Sequence, residues 1–286
     1  MRVAPEVRLV ASDLDGTIIR ADGSISARTI EAFNRARAAG MHIVFVTGRP
    51  VRWLDPVRDA FGQLGTVICS NGAVLYDLEA QRLLSAKTIA PADLVLAQQI
   101  ILRAEPGATF AAETTRGLHL GEGFAEHSQA VGTESGTLLE LGSAQLQNEG
   151  VVKFLAKSRT RSADDFLDAV GDSLRHLVSV THSAFGISLL EMAHVAVDKS
   201  VALRDYAAGL GIGPAEVIAF GDMPNDLEML SWAGHGYAMA SGHLAAIAAA
   251  SYRAPGVEQD GVARVLEQIL DRDASKPWES SGPDER

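Results

Sequence analysis

Apolar runs recur along the chain, and several are nearly continuous rather than alternating with polar residues. A continuous apolar run is typical of a strand that is buried on both faces, as in a parallel sheet. Runs at 7–12, 41–46, 66–69 and 216–220 predict such strands. Amphipathic stretches at 26–39 and 198–210 predict helices, with Ser26 and Asp198 as N-caps. Strands that alternate with helices predict an α/β fold around a parallel sheet.

The pattern changes between residues 85 and 190. Helices are predicted at 91–104 and 163–174, and short strands at 108–113, 117–120, 151–156, 177–181 and 186–192. Two helix–strand–strand halves on one antiparallel sheet form an α+β unit, whereas residues 121–149 show no clear pattern. Because the strand–helix alternation resumes afterwards, we expect an inserted domain at 85–190 in a core of residues 1–84 and 191–270.

The predicted core ends with short strands at 235–239 and 251–253 and a helix marked by Val262, Val265, Leu266 and Ile269. Residues 271–286 combine Pro, Ser, Gly and charged residues, which predicts a disordered tail.

Composition narrows the class of protein. The 286 residues suffice for two domains, and an excess of 36 acidic over 25 basic residues argues against a nucleic-acid partner. The chain has no apolar run of membrane-spanning length, so no membrane association is expected. A lone cysteine, Cys69, excludes a disulfide framework and indicates a cytoplasmic protein.

Two carboxylates, Asp13 and Asp15, follow the first predicted strand, and Gly16 and Thr17 come directly after them. Ligands of open α/β sheets bind outside the carboxyl ends of the strands, so this position suits chemistry. Two close carboxylates are costly to bury without a partner, and a divalent cation is the obvious one. The alternative is a strand that ends in an ordinary acidic turn.

Polar groups also follow the second buried strand. Thr47, Gly48 and Arg49 supply a hydroxyl, a bare backbone and a guanidinium, which suit a phosphate group. The alternative is a capped helix start with an exposed arginine. Asn71 lies in a Ser-Asn-Gly segment after the third strand, where a plain turn is the alternative.

A third polar set follows the strand at 216–220. Asp222, Asn225 and Asp226 suit a hydrated Mg²⁺, although Asp226 is also an ordinary residue for the first turn of a helix. Lys199 is predicted in the first turn of another helix, where the helix dipole disfavours a cation. That position suggests a specific partner, and a solvated surface lysine is the alternative.

These segments together resemble the four motifs of the haloacid dehalogenase-like superfamily of aspartyl-phosphate hydrolases, and their order resembles its Cof-type branch with a type IIB cap. The matching segments are Asp13-Leu14-Asp15-Gly16-Thr17, Val46-Thr47-Gly48-Arg49, Lys199 and the run Gly221-Asp222-Met223-Pro224-Asn225-Asp226. The resemblance implies a Rossmannoid core with a parallel sheet, and it assigns residues 85–190 to the cap.

The resemblance also implies roles for the motif residues. Asp13 would attack the phosphorus, and Asp15 would protonate the leaving oxygen and then activate water. Thr47 and Gly48 would hold the phosphoryl oxygens, and Lys199 would neutralise phosphate charge and orient Asp13. Asp13, Asp15 and Asp222 would hold Mg²⁺ with support from Asn225 and Asp226, while Arg49 and Asn71 would face the substrate.

The expected activity is therefore Mg²⁺-dependent hydrolysis of a small phosphorylated metabolite, such as a sugar phosphate or a phosphorylated cofactor, by a monomer or homodimer. A phosphomutase or other phosphotransferase would use the same motifs, and a non-catalytic phosphometabolite-binding protein is a third alternative. The chain departs from the family pattern at His194–Ser200, Ala240–His243 and Val257. These departures leave the substrate open.

Overall fold

The structure is a computed structural model that describes residues 7–62, 65–124, 135–137, 141–182 and 187–274. Its strands are β1 (Leu9–Ser12), β2 (His42–Val46), β3 (Thr66–Cys69), β4 (Val74–Asp77), β5 (Arg82–Ala86), β6 (Thr109–Thr114), β7 (Leu118–Leu120), β8 (Ser135–Thr137), β9 (Val151–Lys157), β10 (Val178–Thr181), β11 (Leu189–His194), β12 (Val217–Gly221), β13 (His235–Met239) and β14 (Tyr252–Ala254). Its helices are α1 (Ala27–Ala38), α2 (Asp55–Phe61), α3 (Pro91–Ala104), α4 (Ala144–Glu149), α5 (Ala163–Leu174), α6 (Lys199–Gly209), α7 (Leu227–Trp232), α8 (Leu244–Ala249) and α9 (Gly261–Ala274).

The larger sheet has the strand order β14-β13-β12-β1-β2-β3-β4-β5. Its strands from β14 to β3 are parallel, and β4 and β5 add an antiparallel hairpin at one edge. The central strand β1 lies between β12 and β2, with Leu9 opposite both Val217 and His42. This arrangement confirms the predicted α/β fold, and it brings the carboxyl ends of β1, β2, β3 and β12 to one edge.

Helices cover both faces of this sheet. On one face, Phe33 of α1 packs 5.4 Å from the ring of Phe45 in β2, and α9 lies beside α1. On the other face, Leu203 of α6 and Leu230 of α7 pack on β1 and β12 in a second buried cluster. Because both faces are buried, the central strands need continuous apolar sequence, which explains the pattern from which they were predicted.

Two of the predicted helix starts are confirmed at the level of single hydrogen bonds. The hydroxyl of Ser26 accepts the N–H of Thr29 at the start of α1. The carboxylate of Asp198 accepts the N–H of Val201 at 2.8 Å, so α6 begins at Lys199.

The second sheet has the order β10-β11-β9-β6-β7-β8, and α3 and α5 pack on one of its faces around Phe154 and Phe166. All its pairs are antiparallel except β7 with β8. α4 lies in the stretch 121–149 that showed no pattern, and residues 125–134 and 138–140 of that stretch are outside the described residues. Within the described part of the chain, no helix is both long and apolar enough to cross a membrane.

The structure shifts three limits that the sequence suggested. β5 stays in the larger sheet up to Ala86, and β11 stays in the second sheet up to His194, so the limits at 84/85 and 190/191 fall inside strands. The local composition does not change where the chain passes from one sheet to the other, so the hydrophobic pattern did not reveal these two limits. The predicted tail is wrong for residues 271–274, because α9 continues to Ala274 and Asp271 pairs with Arg35 at 2.9 Å. Residues 275–286 lie outside the described residues.

Candidate active site

The candidate site lies at the carboxyl edge of the larger sheet, where Asp13 follows β1 and Asp222 follows β12. The turn after Asp13 approaches Asp222 very closely, and a Cβ on Gly16 would lie 2.3 Å from Asp222 Oδ2. Gly16 also has a φ of +76°, which favours glycine. Thr17 Oγ1 then donates to Asp222 Oδ1 at 3.2 Å. Gly16 is therefore required both by the turn and by the close packing against Asp222, and Thr17 supplies a hydrogen bond to the same carboxylate.

Three carboxylates and one ammonium form the centre of the site. One oxygen from each of Asp13, Asp222 and Asp226 lies within 4.8 Å of the others, and all three residues are buried. Lys199 is only 1% exposed, and its Nζ donates to Asp13 Oδ1 at 2.5 Å and to Asp226 Oδ1 at 2.6 Å. Lys199 is thus a buried partner of the site and not a solvated surface lysine.

The charges of this cluster do not balance. Burial is the main cause that raises the pKa of Asp13 well above its usual range, and it raises the pKa of Asp222 to about 7. Burial also disfavours the charged form of Lys199, but Asp13 and Asp226 outweigh it and raise the pKa of the lysine. With all three carboxylates ionised, the single ammonium leaves two excess negative charges, and a divalent cation would neutralise them and favour the ionised forms.

Asp226 serves a different purpose from the other two carboxylates. Its Oδ1 accepts the Lys199 ammonium, and its Oδ2 accepts the backbone N–H groups of Asp222 and Met223, both at 3.0 Å. Both oxygens are committed to protein donors, so Asp226 shapes the loop that carries Asp222. This leaves Asp13 and Asp222 as the better candidates for direct contact with a cation.

Asp15 and Arg49 form a bidentate ion pair at the mouth of the site. Arg49 Nε donates to Asp15 Oδ2 at 2.7 Å, and Nη2 donates to Oδ1 at 2.6 Å. The side chain of Arg49 is 18% exposed, against 57% for Asp15. The arginine is therefore not free at the surface, and the group expected to bind phosphate is paired with the expected acid–base carboxylate.

Thr47 and Asn71 follow neighbouring strands at the same edge. Thr47 is buried, and its Oγ1 accepts the N–H of Arg49 at 3.0 Å. Asn71 has a φ of 56°, and its Oδ1 accepts Nδ2 of Asn225 at 3.0 Å. Oδ1 of Asn225 is buried and has no hydrogen-bond partner among the described residues. An unsatisfied acceptor beside the acidic cluster fits a cation-bound water, and Asn71 is thereby joined to the site instead of forming a plain turn.

The profile of the haloacid dehalogenase-like hydrolases matches residues 10–266, a span that contains every residue of the candidate site. The chain belongs to this family. The resemblance carried by the four sequence motifs is thereby confirmed.

Known relatives of this hydrolase are phosphatases. The HMP-PP phosphatase of Serratia proteamaculans is 31% identical over 245 residues, which are 81% of this chain and 83% of the relative. The pyridoxal phosphate phosphatase YbhA of Escherichia coli is 28% identical over 81% of this chain and 87% of its own. The solved structure of BT1666 from Bacteroides thetaiotaomicron is 20% identical, with a TM-score of 0.78 over 94% of this chain and 97% of that one, and shares the fold. The expected enzyme class, a phosphoric monoester hydrolase, is confirmed.

Two charged residues of the second sheet reach the site of this hydrolase, and the sequence analysis did not find them. Lys153 Nζ in β9 donates to the carbonyl oxygen of Gly48 at 2.6 Å and to Glu191 Oε2 at 2.6 Å. Asn71 Nδ2 donates to the same oxygen of Glu191 at 2.7 Å. The available signal was a charged residue in the interior of each of two largely apolar strands, β9 and β11.

A cavity of about 410 Å³ opens beside Asp15, Arg49 and Asp222. Ser241 and Val257, two positions at which the chain departs from the family pattern, line it. A Cβ on Gly242 would lie 2.6 Å from the carbonyl oxygen of Asp222, so the departing loop packs directly on the site. These departures therefore change the wall of the site and leave its acidic cluster in place.

Proposed function

We propose that the protein is a Mg²⁺-dependent phosphatase that hydrolyses small phosphorylated metabolites through an aspartyl phosphate on Asp13. The observation that carries this proposal is the buried cluster in which Lys199 contacts Asp13 and Asp226, with Asp222 alongside. Its two excess negative charges and its oxygen-only donors suit a hard divalent cation.

The carboxylates of Asp13 and Asp222 and the backbone carbonyl of Asp15 would hold Mg²⁺, and the free Oδ1 of Asn225 would accept from one of its waters. Bound Mg²⁺ would screen the repulsion between Asp13 and a phosphate dianion and would stabilise the charge that develops on the phosphoryl oxygens.

Asp13 is the nucleophile of this proposal. Lys199 binds Oδ1 of Asp13, which leaves Oδ2 to attack the phosphorus. The bond from Oδ2 to phosphorus forms as the bond to the leaving oxygen breaks. Asp15, once it has left Arg49 and taken up a proton from solvent, gives that proton to the leaving oxygen. A water then attacks the phosphorus and gives a proton to Asp15, the bond between phosphorus and Oδ2 breaks, and inorganic phosphate and the free carboxylate of Asp13 result.

Arg49 links substrate binding to the state of Asp15. Without substrate, the guanidinium is held by the Asp15 carboxylate through two hydrogen bonds. A phosphate dianion is a stronger competitor for a planar guanidinium than one carboxylate, so substrate binding would free Asp15 to turn toward the leaving oxygen.

The second sheet is the cap of this proposal, and it would cover the leaving group. The names of the two relatives, a pyridoxal phosphate phosphatase and an HMP-PP phosphatase, support a small phosphorylated metabolite. A cytoplasmic location and a monomeric or homodimeric state remain predictions.

The test is release of inorganic phosphate from a panel of phosphorylated sugars and cofactors, with Mg²⁺ and after treatment with EDTA. Mg²⁺-dependent release that Asp13→Asn abolishes would support the proposal. Conversion of one phosphosugar into another without phosphate release would show a phosphomutase instead. Phosphate release that survives exhaustive removal of divalent cations would contradict the metal assignment.

A further inference from the structure

A continuous chain of buried and partly buried hydrogen bonds runs from the second sheet into the loop after β2 and the turn after β3. It starts at the Lys153–Glu191 ion pair, in which the two side chains are 7% and 9% exposed. From Lys153 it passes to the carbonyl of Gly48, and from Glu191 it passes through Asn71 to Asn225. The ion pair therefore contacts the loop after β2 and the turn after β3 at the same time.

The ion pair is expensive to bury, which argues against a role in packing alone. A buried ion pair is often no more stabilising than apolar side chains of similar volume, because both charges lose their hydration. Lys153 and Glu191 lie in strands whose other residues are largely apolar, so apolar residues would fit the local pattern. The two charges instead add directional hydrogen bonds. Lys153 orients the carbonyl of Gly48, and Glu191 orients the amide of Asn71.

The branch through Lys153 orients the hydroxyl of Thr47. The carbonyl of Gly48 and the N–H of Arg49 belong to one planar peptide, so holding the oxygen also fixes the N–H. That N–H donates to Thr47 Oγ1 at 3.0 Å. A hydroxyl that accepts on one side has its own proton to donate elsewhere, and here a phosphoryl oxygen is the proposed acceptor.

The branch through Glu191 orients the amide of Asn225. Glu191 accepts Nδ2 of Asn71, which turns Oδ1 of Asn71 toward Nδ2 of Asn225. With its nitrogen engaged, Asn225 presents Oδ1 as an acceptor, and this is the buried oxygen that has no partner among the described residues. One ion pair thus orients both the hydroxyl of Thr47, the proposed donor to the phosphate, and Oδ1 of Asn225, the proposed acceptor from a water of the cation.

We propose that Lys153 and Glu191 are positioning residues that order the catalytic loops of the larger sheet when the second sheet is docked on it. The proposal rests on the proposed phosphatase function for its kinetic test. It predicts that loss of either charge harms every substrate equally, including one too small to need recognition by the second sheet.

An ion pair between the two sheets, Arg52–Glu113, provides a control for docking. Arg52 donates to Glu113 through Nε at 3.0 Å and Nη2 at 2.9 Å, and Glu113 is 7% exposed. Its carboxylate is as buried as that of Glu191, whereas Arg52 is 26% exposed against 7% for Lys153. Arg52 lies in the loop after β2, but the pair contacts neither the carbonyl of Gly48 nor the amide of Asn71, so Glu113→Gln weakens docking and leaves the hydrogen bonds of both groups in place.

The kinetic experiment compares Lys153→Met, Glu191→Gln and Glu113→Gln with nitrophenyl phosphate and with the best metabolite from the screen. Removal of a residue that orients a ligand-binding group typically costs about 10–100-fold in activity. We expect a loss of kcat of about that size for both substrates in the first two variants, and weaker inhibition by inorganic phosphate. Glu113→Gln should stay within about threefold of wild type.

Hydrogen exchange followed by mass spectrometry gives a readout that does not depend on activity. Lys153→Met and Glu191→Gln should speed exchange in residues 47–49 and 70–73, while Glu113→Gln should not. If a single variant fails to fold because one charge stays buried, the double variant Lys153→Met/Glu191→Met removes both charges and is measured instead.

Three results would overturn the proposal. A loss confined to the larger substrate would show that the pair reads the leaving group. Equal losses in Glu113→Gln would show that only docking matters, and wild-type exchange in both loops would show that the pair does not order them. Absence of phosphatase activity in the wild type would instead overturn the proposed function, and the exchange experiment would still decide the positioning role.

Discussion

Replacing Lys199 by Met should both destabilise the protein and stop its chemistry. The substitution keeps the length of the side chain and removes a charge that is 1% exposed and bonded to Asp13 at 2.5 Å and Asp226 at 2.6 Å. Removing one partner of a buried ion pair costs about 3–5 kcal/mol, because the remaining charge is left without compensation. Against a total stability of about 5–15 kcal/mol, the variant should be folded but marginal.

The loss should depend on pH in a defined direction. The ammonium of Lys199 lowers the pKa of Asp13, whereas burial raises it. Without the lysine, the pKa of Asp13 in the folded state rises further above its unfolded value, so the folded state holds a proton that the unfolded state releases. The free energy of unfolding of the variant, relative to wild type, should therefore fall as pH rises from the folded-state pKa of Asp13 in wild type toward its higher value in the variant.

Urea denaturation in EDTA at pH 5 and pH 8 measures both effects. Lys87→Met is the matched control, because Lys87 is 48% exposed and lies 3.6 Å from Asp205. An exposed pair of this kind is worth less than about 1 kcal/mol. If Lys199→Met loses no more stability than Lys87→Met, or shows the same pH slope as wild type, then Lys199 does not compensate the buried carboxylates.

Three further predictions follow from the same site. Asp13→Asn should lower turnover by a factor on the order of 10³ or more, because the nucleophile is lost, while the circular dichroism spectrum stays unchanged. Turnover within tenfold of wild type would exclude Asp13 as the nucleophile. Asp15→Asn should slow hydrolysis of the aspartyl phosphate by about 10²–10⁴-fold, so rapid quench with nitrophenyl phosphate should trap a phosphoenzyme, and its absence together with equal slowing for sugar phosphates would contradict the acid–base role. The pKa of Asp222 is raised to about 7, mainly by burial, so Mg²⁺ must displace a proton below that pH. Calorimetry should show that the affinity for Mg²⁺ falls by about tenfold for each pH unit below 7. An equal affinity at pH 6 and pH 8 would refute this.

Local patterns in the sequence were enough to predict much of the fold. Pro91–Ala104 and Ala163–Leu174 have the predicted limits in the structure, because a periodic apolar face and a defined first turn are properties of neighbouring residues. The buried central strands were predicted for the same reason. The hairpin of β4 and β5 was missed, since Leu83 and Leu84 at its outer strand are exposed and show no alternation.

The residue types of the site were also readable from the sequence, because polar groups that follow buried strands collect at one edge of a parallel sheet. Asp13, Thr47 and Asp222 were placed there by this rule, and the family match adds their expected roles. Whether each performs its role remains for the experiments above.

Tertiary structure alone decided which of these groups touch one another. Lys199 and Asp13 are 186 positions apart, and Lys153 and Gly48 are 105 apart, so no local period records either contact. Burial of Lys199 contradicts the ordinary behaviour of lysine, and only the two carboxylates that surround it make that burial tolerable. The hydrogen bonds by which Lys153 and Glu191 of the second sheet reach Gly48 and Asn71 likewise exist only once the two sheets meet. A sequence pattern reflects local conformational preference and the tendency of each residue to be buried. The partner of a buried charge depends instead on how segments that are distant in the sequence pack together.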